Sequence, residues 1–404
     1  MAYCNSSLRY ILILLSITVV LLILALVTNR VVDPYSLFES DSKSSWNFTK
    51  PQFHAQDRLG KAFAIRNIKP NAIILGTSRC GFSMDPKHPG WKDLRVYNLC
   101  VGGASMYEAF RFLQHAHSFQ PKLKVLLSLD FLMFNNNVNP KGAGFREDYM
   151  SVDYQGVKQD MVNPYLLIAS FDMLKASIKT VFSQSVEDSH LANGMKNQDF
   201  INNQIYKNTN VKFYFSRVEK NYLSKYYHNF SYKSKEGDAL DYFEKIIDLS
   251  YKNNIDLKIM ISPIHARLME VLFIKGLWDK YENWKRKIVN INKRAANWSN
   301  LNSFPVWDFS GYSNYTTEDL QSVANNKKTL KWFWESSHFK KEVGDIMLDQ
   351  VLGCKKNNSS VYNNFGIKIT IENIENHLKN IRRGRLQWRE NSFIDYSEIH
   401  EMLL

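Results

Sequence analysis

The sequence has only four cysteines in 404 residues, and their spacing matches no zinc-binding pattern. It also lacks a glycine-rich phosphate-binding loop, paired carboxylates at metal-ligand spacing and a histidine-rich segment. These absences argue against metal-dependent and nucleotide-dependent chemistry, so we expect no metal and no cofactor. The net charge of +13 is spread along the chain, and no DNA- or RNA-binding motif accompanies it. We therefore expect no nucleic-acid partner.

Long apolar runs are also scarce, and the one exception covers residues 10–28, where no charged residue occurs. Its length is close to the ~20 residues that a helix needs to cross the hydrocarbon core of a membrane. A cleaved signal peptide usually has a shorter apolar region of about 7–15 residues, and the sequence NRVV at 29–32 makes a poor cleavage site. We predict an uncleaved anchor over residues 1–30, embedded in the lipid bilayer, with a cleaved signal peptide as the alternative.

The charges beside this run give only a weak orientation signal, because Arg9 precedes it and Arg30 follows it. We expect the amino terminus to lie inside the cell and the rest of the chain outside the cytoplasm. The prediction is thus a single-pass protein of the inner (cytoplasmic) membrane, with the bulk of the chain periplasmic.

After the anchor, short apolar strands alternate with amphipathic helices, which predicts parallel strands joined by right-handed crossovers. We expect an α/β fold with a flavodoxin-like, three-layer α/β/α core. The predicted strands are Ile73–Leu75, Arg95–Leu99, Lys124–Asp130, Leu257–Ser262 and Phe304–Phe309. The predicted helices are Ser105–Ser118, Pro164–Phe182, Ala239–Asn253, Arg267–Lys275, Trp278–Trp298 and Lys340–Leu352, the first with a capping box from Ser105 and Glu108.

The alternation of predicted strands and helices divides the chain into segments. Residues 31–70 are a linker, residues 71–352 are the α/β domain, and residues 353–404 are a C-terminal appendage. Within the α/β domain, residues 135–235 lack the strand-helix alternation and are rich in Asn, Lys, Tyr and Ser. We interpret this stretch as an insertion that forms a lid or a substrate-facing subdomain.

A candidate nucleophile follows the first predicted strand. Ser78 lies in the tetrapeptide GTSR directly after the run AIIL, and ligands of open α/β sheets bind at the carboxyl edge where such strands end. His338 occurs near the end of the α/β pattern, and Glu335 precedes it by three residues. A serine, a histidine base and an orienting acid are the groups that allow a hydroxyl to attack a carbonyl. The competing interpretation is an ordinary turn at the end of a strand, with no catalytic role for Ser78, since short Gly-x-Ser sequences are common.

Acyl transfer also needs hydrogen-bond donors for the oxyanion. The backbone N–H of Ser78 is one, and the N–H of Gly102 or Gly103 is the expected second because glycine allows close approach. The position after the third strand holds Asp130, an anion that would repel an oxyanion. Asn135, a few residues on, is the remaining side-chain candidate.

Three further residues are candidates for substrate binding alongside Asp130. Arg79 either offsets the charge of Asp130, binds an anionic substrate or forms a surface salt bridge. His265 and Asp308 follow later strands; the first is a substrate contact or a structural histidine, and the second orients a loop or binds sugar hydroxyls. Cys80 and Cys100 would lie near the same sheet edge, either as a disulfide in an oxidising compartment or as two small buried residues.

These blocks resemble those of the SGNH (GDSL-like) hydrolase superfamily: Gly76-Thr77-Ser78-Arg79, then Asn98 to Gly103, then Glu335-x-x-His338. With its anchor, the chain resembles the bacterial envelope proteins of that superfamily that act in polysaccharide O-acetylation. The resemblance covers about residues 70–352 without the insertion. It implies Ser78 as nucleophile, His338 as base and Glu335 as acid, where the family usually has Asp. The family's third-block Asn is replaced by Asp130.

The resemblance implies an extracytoplasmic serine esterase or O-acyltransferase, with acetyl as the expected acyl group. Its substrate would be an acyl ester or a polysaccharide of the cell envelope or the extracellular space. The alternative is a non-catalytic envelope protein that binds glycan or docks a membrane-bound O-acyltransferase.

Overall fold

The computed structural model of the protein describes residues 2–38, 47–137, 144–206, 210–235, 237–322, 329–354 and 365–402. Its strands are β1 (Ala72–Leu75), β2 (Val96–Asn98), β3 (Lys124–Leu129), β4 (Lys233–Ser234), β5 (Gly237–Asp238), β6 (Asp256–Ile261), β7 (Val306–Asp308), β8 (Phe333–Glu335), β9 (His338–Phe339) and β10 (Ile367–Lys368). Its α-helices are α1 (Ala2–Val32), α2 (Asp57–Ile68), α3 (Ser78–Ser83), α4 (Met106–Phe119), α5 (Pro164–Leu167), α6 (Phe171–Phe182), α7 (Gln198–Tyr206), α8 (Val211–Asn221), α9 (Ala239–Lys252), α10 (Ala266–Ile274), α11 (Trp278–Ser299), α12 (Lys341–Val351), α13 (Ile374–Asn391) and α14 (Phe393–Glu401).

A six-stranded sheet organises these elements in the order β10-β7-β6-β3-β1-β2. All pairings among β2, β1, β3, β6 and β7 are parallel, and β10 pairs antiparallel with β7. The carboxyl ends of the parallel strands therefore share one edge of the sheet. The expected α/β architecture with a parallel sheet is confirmed at this level.

Apolar clusters cover both faces of this sheet because successive side chains of a strand point to opposite faces. In β1, Ile73 and Leu75 belong to one cluster, whereas Ala72 and Ile74 belong to the other. Helix α2 contacts α4, α4 contacts α9, and α9 contacts α11. Helix α3 contacts α12. The near-continuous apolar sequences of β1 and β3 follow from burial on both faces.

Local capping explains where several helices begin. At α4 both bonds of the predicted capping box are present, between Ser105 and Glu108. The predicted helix over 164–182 is instead interrupted: the Asn163 side chain caps α5, and the Ser170 side chain caps α6. Polar residues that compete for backbone N–H groups favour such caps over helix interiors, and the sequence pattern alone did not reveal this break.

The ends of the chain are attached to the core. Helix α2, within the predicted linker, contacts α4, and β10 of the predicted appendage joins the main sheet. Helix α14 contacts α10, where the buried Arg267 guanidinium lies 2.9 Å from a carboxylate oxygen of Asp395. Residues 365–402 therefore complete the sheet and its helical cover.

Among the described residues, one helix has the length and apolar composition that crossing a membrane requires, over Ser7–Val32 of α1. Its side chains are exposed along most of this stretch, as expected for a helix surrounded by lipid. Burial begins only near its carboxyl end, where Asn29 and Val32 are covered by the globular part.

Candidate active site

The turn after β1 places Ser78 at the carboxyl edge of the sheet. Gly76 has a φ of +151°, and a Cβ at this position would meet the Ser128 carbonyl oxygen at 2.5 Å, so the turn requires glycine. Thr77 then caps α3, its hydroxyl accepting a hydrogen bond from the N–H of Arg79. Because Ser78 is the first residue of α3, its N–H has no acceptor within the helix and is available to a ligand.

The base and acid come from a β8-β9 hairpin near the end of the chain. His338 lies 260 residues after Ser78, and its Nε2 is 2.7 Å from the serine Oγ. The other ring nitrogen, Nδ1, forms a short contact with Oε1 of Glu335. The three residues that the sequence proposed as a triad thus form one continuous hydrogen-bonded chain, with a nucleophile, a base and an orienting acid in that order.

Further contacts fix both Glu335 and the imidazole. Ser337 donates to Glu335 from its N–H (2.7 Å) and from its hydroxyl (2.9 Å). The ring of Phe82 stacks on His338, with ring centroids 4.3 Å apart. Burial alone would raise the pKa of Glu335, but the nearby His338 and the two hydrogen bonds from Ser337 outweigh it and lower that pKa. Glu335 is therefore held as a carboxylate, the form that stabilises an imidazolium.

Asp130 is paired with other groups rather than directed at the nucleophile. Its carboxylate accepts a hydrogen bond from the Thr77 hydroxyl (2.5 Å) and lies 3.7 Å from a guanidinium nitrogen of Arg79. Arg79 also donates to the Ser337 carbonyl oxygen (3.1 Å) and to the Tyr222 hydroxyl (3.2 Å). Both charged residues are buried, so Arg79 forms a buried ion pair and not a surface salt bridge.

The oxyanion candidates are not equivalent in the structure. Gly103, with a φ of +62°, lines the same cavities as Ser78, and no acceptor for its N–H is found among the described residues. Gly102 lies outside both cavities, and its carbonyl oxygen accepts from Arg58 (2.9 Å). The Asn135 side chain lines the smaller of these cavities together with Ser78; one N–H of its amide donates to the Tyr226 carbonyl oxygen (3.1 Å), and the amide group has a second N–H. The N–H groups of Ser78 and Gly103 are therefore the backbone candidates, and Asn135 remains the side-chain candidate.

A disulfide and a buried lysine hold the glycine loop against α3. Cys80 of α3 is joined to Cys100, and Asn98 donates to the Cys80 carbonyl oxygen (3.0 Å). The Lys61 ammonium donates to the carbonyl oxygens of Asn98 (3.0 Å) and Cys100 (2.6 Å). Full burial lowers the pKa of Lys61 to about 7, and its hydrogen-bond acceptors among the described residues are backbone carbonyl oxygens. These contacts fix the relative positions of Ser78 and Gly103.

The triad opens into a cavity of about 250 Å³ that the 135–235 segment partly encloses. Helices α7 and α8 of that segment supply apolar and aromatic side chains, among them Phe200 and Tyr214. Lys196 also lines the cavity, and burial lowers the pKa of its ammonium group. A second cavity of about 70 Å³ adjoins Ser78 on the side of Arg79 and Asp130. A larger cavity of about 340 Å³ lies near the starts of β3 and β6, away from the triad.

Two predicted substrate-binding residues lie outside both cavities. His265 is fully buried, caps α10 and contacts the Glu318 carbonyl oxygen at 2.8 Å, and burial lowers its pKa to about 3. Asp308 is buried beside Lys285 (2.6 Å) and His377 (2.8 Å). Burial opposes its ionisation, but these two neighbours outweigh burial and lower its pKa. Both residues hold elements together, which for His265 is the structural alternative given in the sequence analysis.

Several site residues did not emerge from the sequence. Phe82 is four residues after Ser78, one helical turn, and that spacing could have placed it beside the nucleophile. Lys196 and Tyr222 belong to the 135–235 segment, and no local pattern there indicates which residues reach the cavity. Ser337 directly precedes the histidine, but its two bonds to Glu335 depend on the hairpin geometry.

The geometry supplies the evidence for this site. The turn after β1 and the β8-β9 hairpin that directly precedes α12 bring Ser78, His338 and Glu335 together. Comparison of the sequence with models of known families and with curated proteins finds no match.

Proposed function

We propose that the protein is a serine esterase or O-acyltransferase with a flavodoxin-like SGNH-type core. The observation that carries this proposal is the hydrogen-bonded chain from Ser78 through His338 to Glu335, facing a cavity next to the N–H of Gly103. Nucleophile, base, acid and oxyanion donors are the complete set that acyl transfer from an ester requires.

The reaction proceeds in two steps. The Ser78 Oγ attacks the acyl carbonyl carbon while its proton passes to Nε2 of His338. The N–H groups of Ser78 and Gly103 stabilise the oxyanion, and Glu335 stabilises the imidazolium. Collapse of this intermediate breaks the ester bond; His338 returns the proton to the leaving alcohol, and the acyl group stays on Ser78. Water or a sugar hydroxyl then attacks the acyl-serine while its proton passes to His338. The bond between the acyl carbon and Ser78 Oγ breaks, His338 returns the proton to Oγ, and the acid or the acylated sugar is released.

The proposed substrate is an O-acylated polysaccharide of the cell envelope or the extracellular space, with acetyl as the acyl group. The cavity of about 250 Å³ accommodates a small acyl group with part of a sugar, and its aromatic walls suit the apolar faces of sugar rings. The apolar helix α1 supports attachment to the inner membrane. We propose that residues after the anchor lie in the periplasm, where such a substrate is found.

The test is hydrolysis of p-nitrophenyl acetate by the full chain in detergent micelles. We expect Ser78→Ala to abolish it and Ser299→Ala, at an exposed position at the end of α11, to leave it unchanged. Brief incubation followed by acid quenching and peptide mass spectrometry should locate an acetyl group on Ser78. Equal rates for wild type and Ser78→Ala would refute the enzyme proposal and favour a protein that binds glycan or docks a membrane-bound O-acyltransferase.

A further inference from the structure

The carboxyl end of α1 is joined to α5 and α6 through buried polar contacts. The amide of Asn29 donates to the Ile168 carbonyl oxygen (2.8 Å), and the Ser177 hydroxyl donates to Asn29 Oδ1 (2.8 Å). Asn29 directly follows the apolar run over residues 10–28, so it lies where α1 leaves the hydrocarbon core. If α1 spans the membrane as proposed above, these contacts place helices α5 and α6 at the level of the membrane surface.

These two helices also expose large apolar side chains. The exposed fractions are 71% for Leu166, 79% for Phe171 and 84% for Phe182, with Tyr165 and Ile178 also exposed. Isolated apolar residues are common on protein surfaces, but a group of five on one short helical pair marks an interaction surface.

The pattern of α6 is that of a helix lying in a membrane interface. Phe171, Ile178 and Phe182 recur at intervals of seven and four residues, so they share one face, and Lys175 and Lys179 are exposed beside them. The other face, which includes Met173, is buried against the protein. Lysines beside an apolar face can extend their ammonium groups toward lipid phosphates while their stems remain in the apolar layer.

An aromatic and cationic cluster lies at the same level. The Arg30 guanidinium is 4.1 Å from the ring centroid of Phe38, and that ring is 5.6 Å from the ring of Tyr165. Tyrosine and arginine at the end of a transmembrane helix are typical of the boundary between lipid headgroups and acyl chains.

We propose that α5 and the exposed face of α6 insert into the headgroup region of the bilayer beside α1, as a second membrane contact. The occupant of this surface is lipid because it continues directly from the end of the membrane-spanning helix and joins it through Asn29. Two contacts fix the tilt of the globular part over the membrane, which a single helix would leave free to rotate. This inference does not depend on the proposed esterase activity.

The test uses the full chain, one copy per nanodisc, in phosphatidylcholine and phosphatidylglycerol. The background protein carries Cys4→Ser and Cys354→Ser, with the Cys80–Cys100 disulfide left oxidised, so that one introduced cysteine accepts a fluorescent nitrobenzoxadiazole label. Thermal unfolding of each variant checks that the fold is retained.

The labelled positions are Phe171→Cys and Phe182→Cys, with Leu386→Cys on α13 as the matched exposed control. Lipids with a nitroxide on the acyl chain should quench the label at 171 and 182 several-fold more strongly than at 386. Equal quenching at all three positions would overturn the proposal. A blue-shifted emission at 171 that lipid nitroxides do not quench would also overturn it, because protein would then cover the surface. If a second copy of the protein covered this surface, the blue shift would appear only in nanodiscs that contain two copies.

Discussion

Replacing Glu335 with Gln tests the role of the acid, because every hydrogen bond of this carboxylate has a defined direction. One oxygen accepts the N–H of Ser337, and the other accepts the Ser337 hydroxyl and faces Nδ1 of His338. Glutamine has the same shape but one acceptor oxygen and one donor NH₂ group. It therefore cannot accept hydrogen bonds from both the Ser337 N–H and Nδ1 of His338.

Either orientation of the new amide is unfavourable. If the amide oxygen still accepts the hydrogen bond from the Ser337 N–H, the NH₂ group points at Nδ1 of His338. Nδ1 must then be the acceptor, so the imidazole proton lies on Nε2. His338 then has no lone pair for the Ser78 proton. If the amide is reversed, its NH₂ group opposes the Ser337 N–H at a distance of about a hydrogen bond, a buried donor-donor contact that costs about 1–3 kcal/mol.

We expect kcat/KM of Glu335→Gln to fall by about 10³–10⁴-fold, the size of loss that follows when an imidazole is held in the wrong tautomer. The assay is ester hydrolysis by the full chain, with Glu342→Gln on the exposed side of α12 as a matched control that should match wild type. Glu335→Asp keeps the charge and should lose less. Wild-type rates in Glu335→Gln, together with loss in Ser78→Ala, would refute the assigned role of Glu335.

Three predictions concern stability. Replacing Cys80 and Cys100 with Ser should lower the free energy of unfolding, measured by urea titration, by about 3 kcal/mol, because the disulfide closes a loop between residues 20 positions apart. An unchanged free energy under non-reducing conditions would contradict the disulfide. Lys285→Met leaves the buried Asp308 carboxylate without its cation and should cost about 3–5 kcal/mol in the same titration; a neutral result would contradict this. Because the folded pKa of Asp308 is lowered, its contribution is full above the ordinary value near 3.8 and disappears as pH falls through the folded value. Stability measured against pH should therefore decline more steeply below pH 3.8 in wild type than in Asp308→Asn, and parallel curves would contradict this.

The parts predictable from the sequence are those with a local cause. The apolar run AIIL, followed by a glycine, determines both β1 and the turn that carries Ser78, and the capping box determines the start of α4. The alternation of strands and helices predicts parallel pairing, since parallel strands need a crossover of helical length. The acid-x-x-His spacing predicts that Glu335 can reach the ring of His338 from one turn of chain.

The parts that were not predictable depend on contacts between distant segments. Asn135 is a candidate oxyanion donor that lines the smaller cavity beside Ser78, but the bond that orients its amide goes to the Tyr226 carbonyl oxygen, 91 residues later. Asp308 was placed correctly at a strand end, yet Lys285 and His377 reach it from α11 and α13 and make it structural. No pattern within a short window contains such pairings, so polarity at a strand end identifies an edge of the sheet but not the role of each residue.

Asp130 illustrates how a departure from an expected motif is compensated by neighbours. An isolated anion beside the nucleophile would oppose the oxyanion, but here Arg79 supplies a buried positive charge, and the Thr77 hydroxyl donates to the carboxylate. Burial alone would lower the pKa of Arg79, and the Asp130 carboxylate outweighs it and raises that pKa, so the guanidinium stays charged. Arg79 also donates to the Ser337 carbonyl oxygen, which ties the ion pair to the hairpin that carries the base. The pair is therefore close to neutral and rigid, and in the proposed reaction the N–H groups of Ser78 and Gly103 are the backbone donors to the oxyanion.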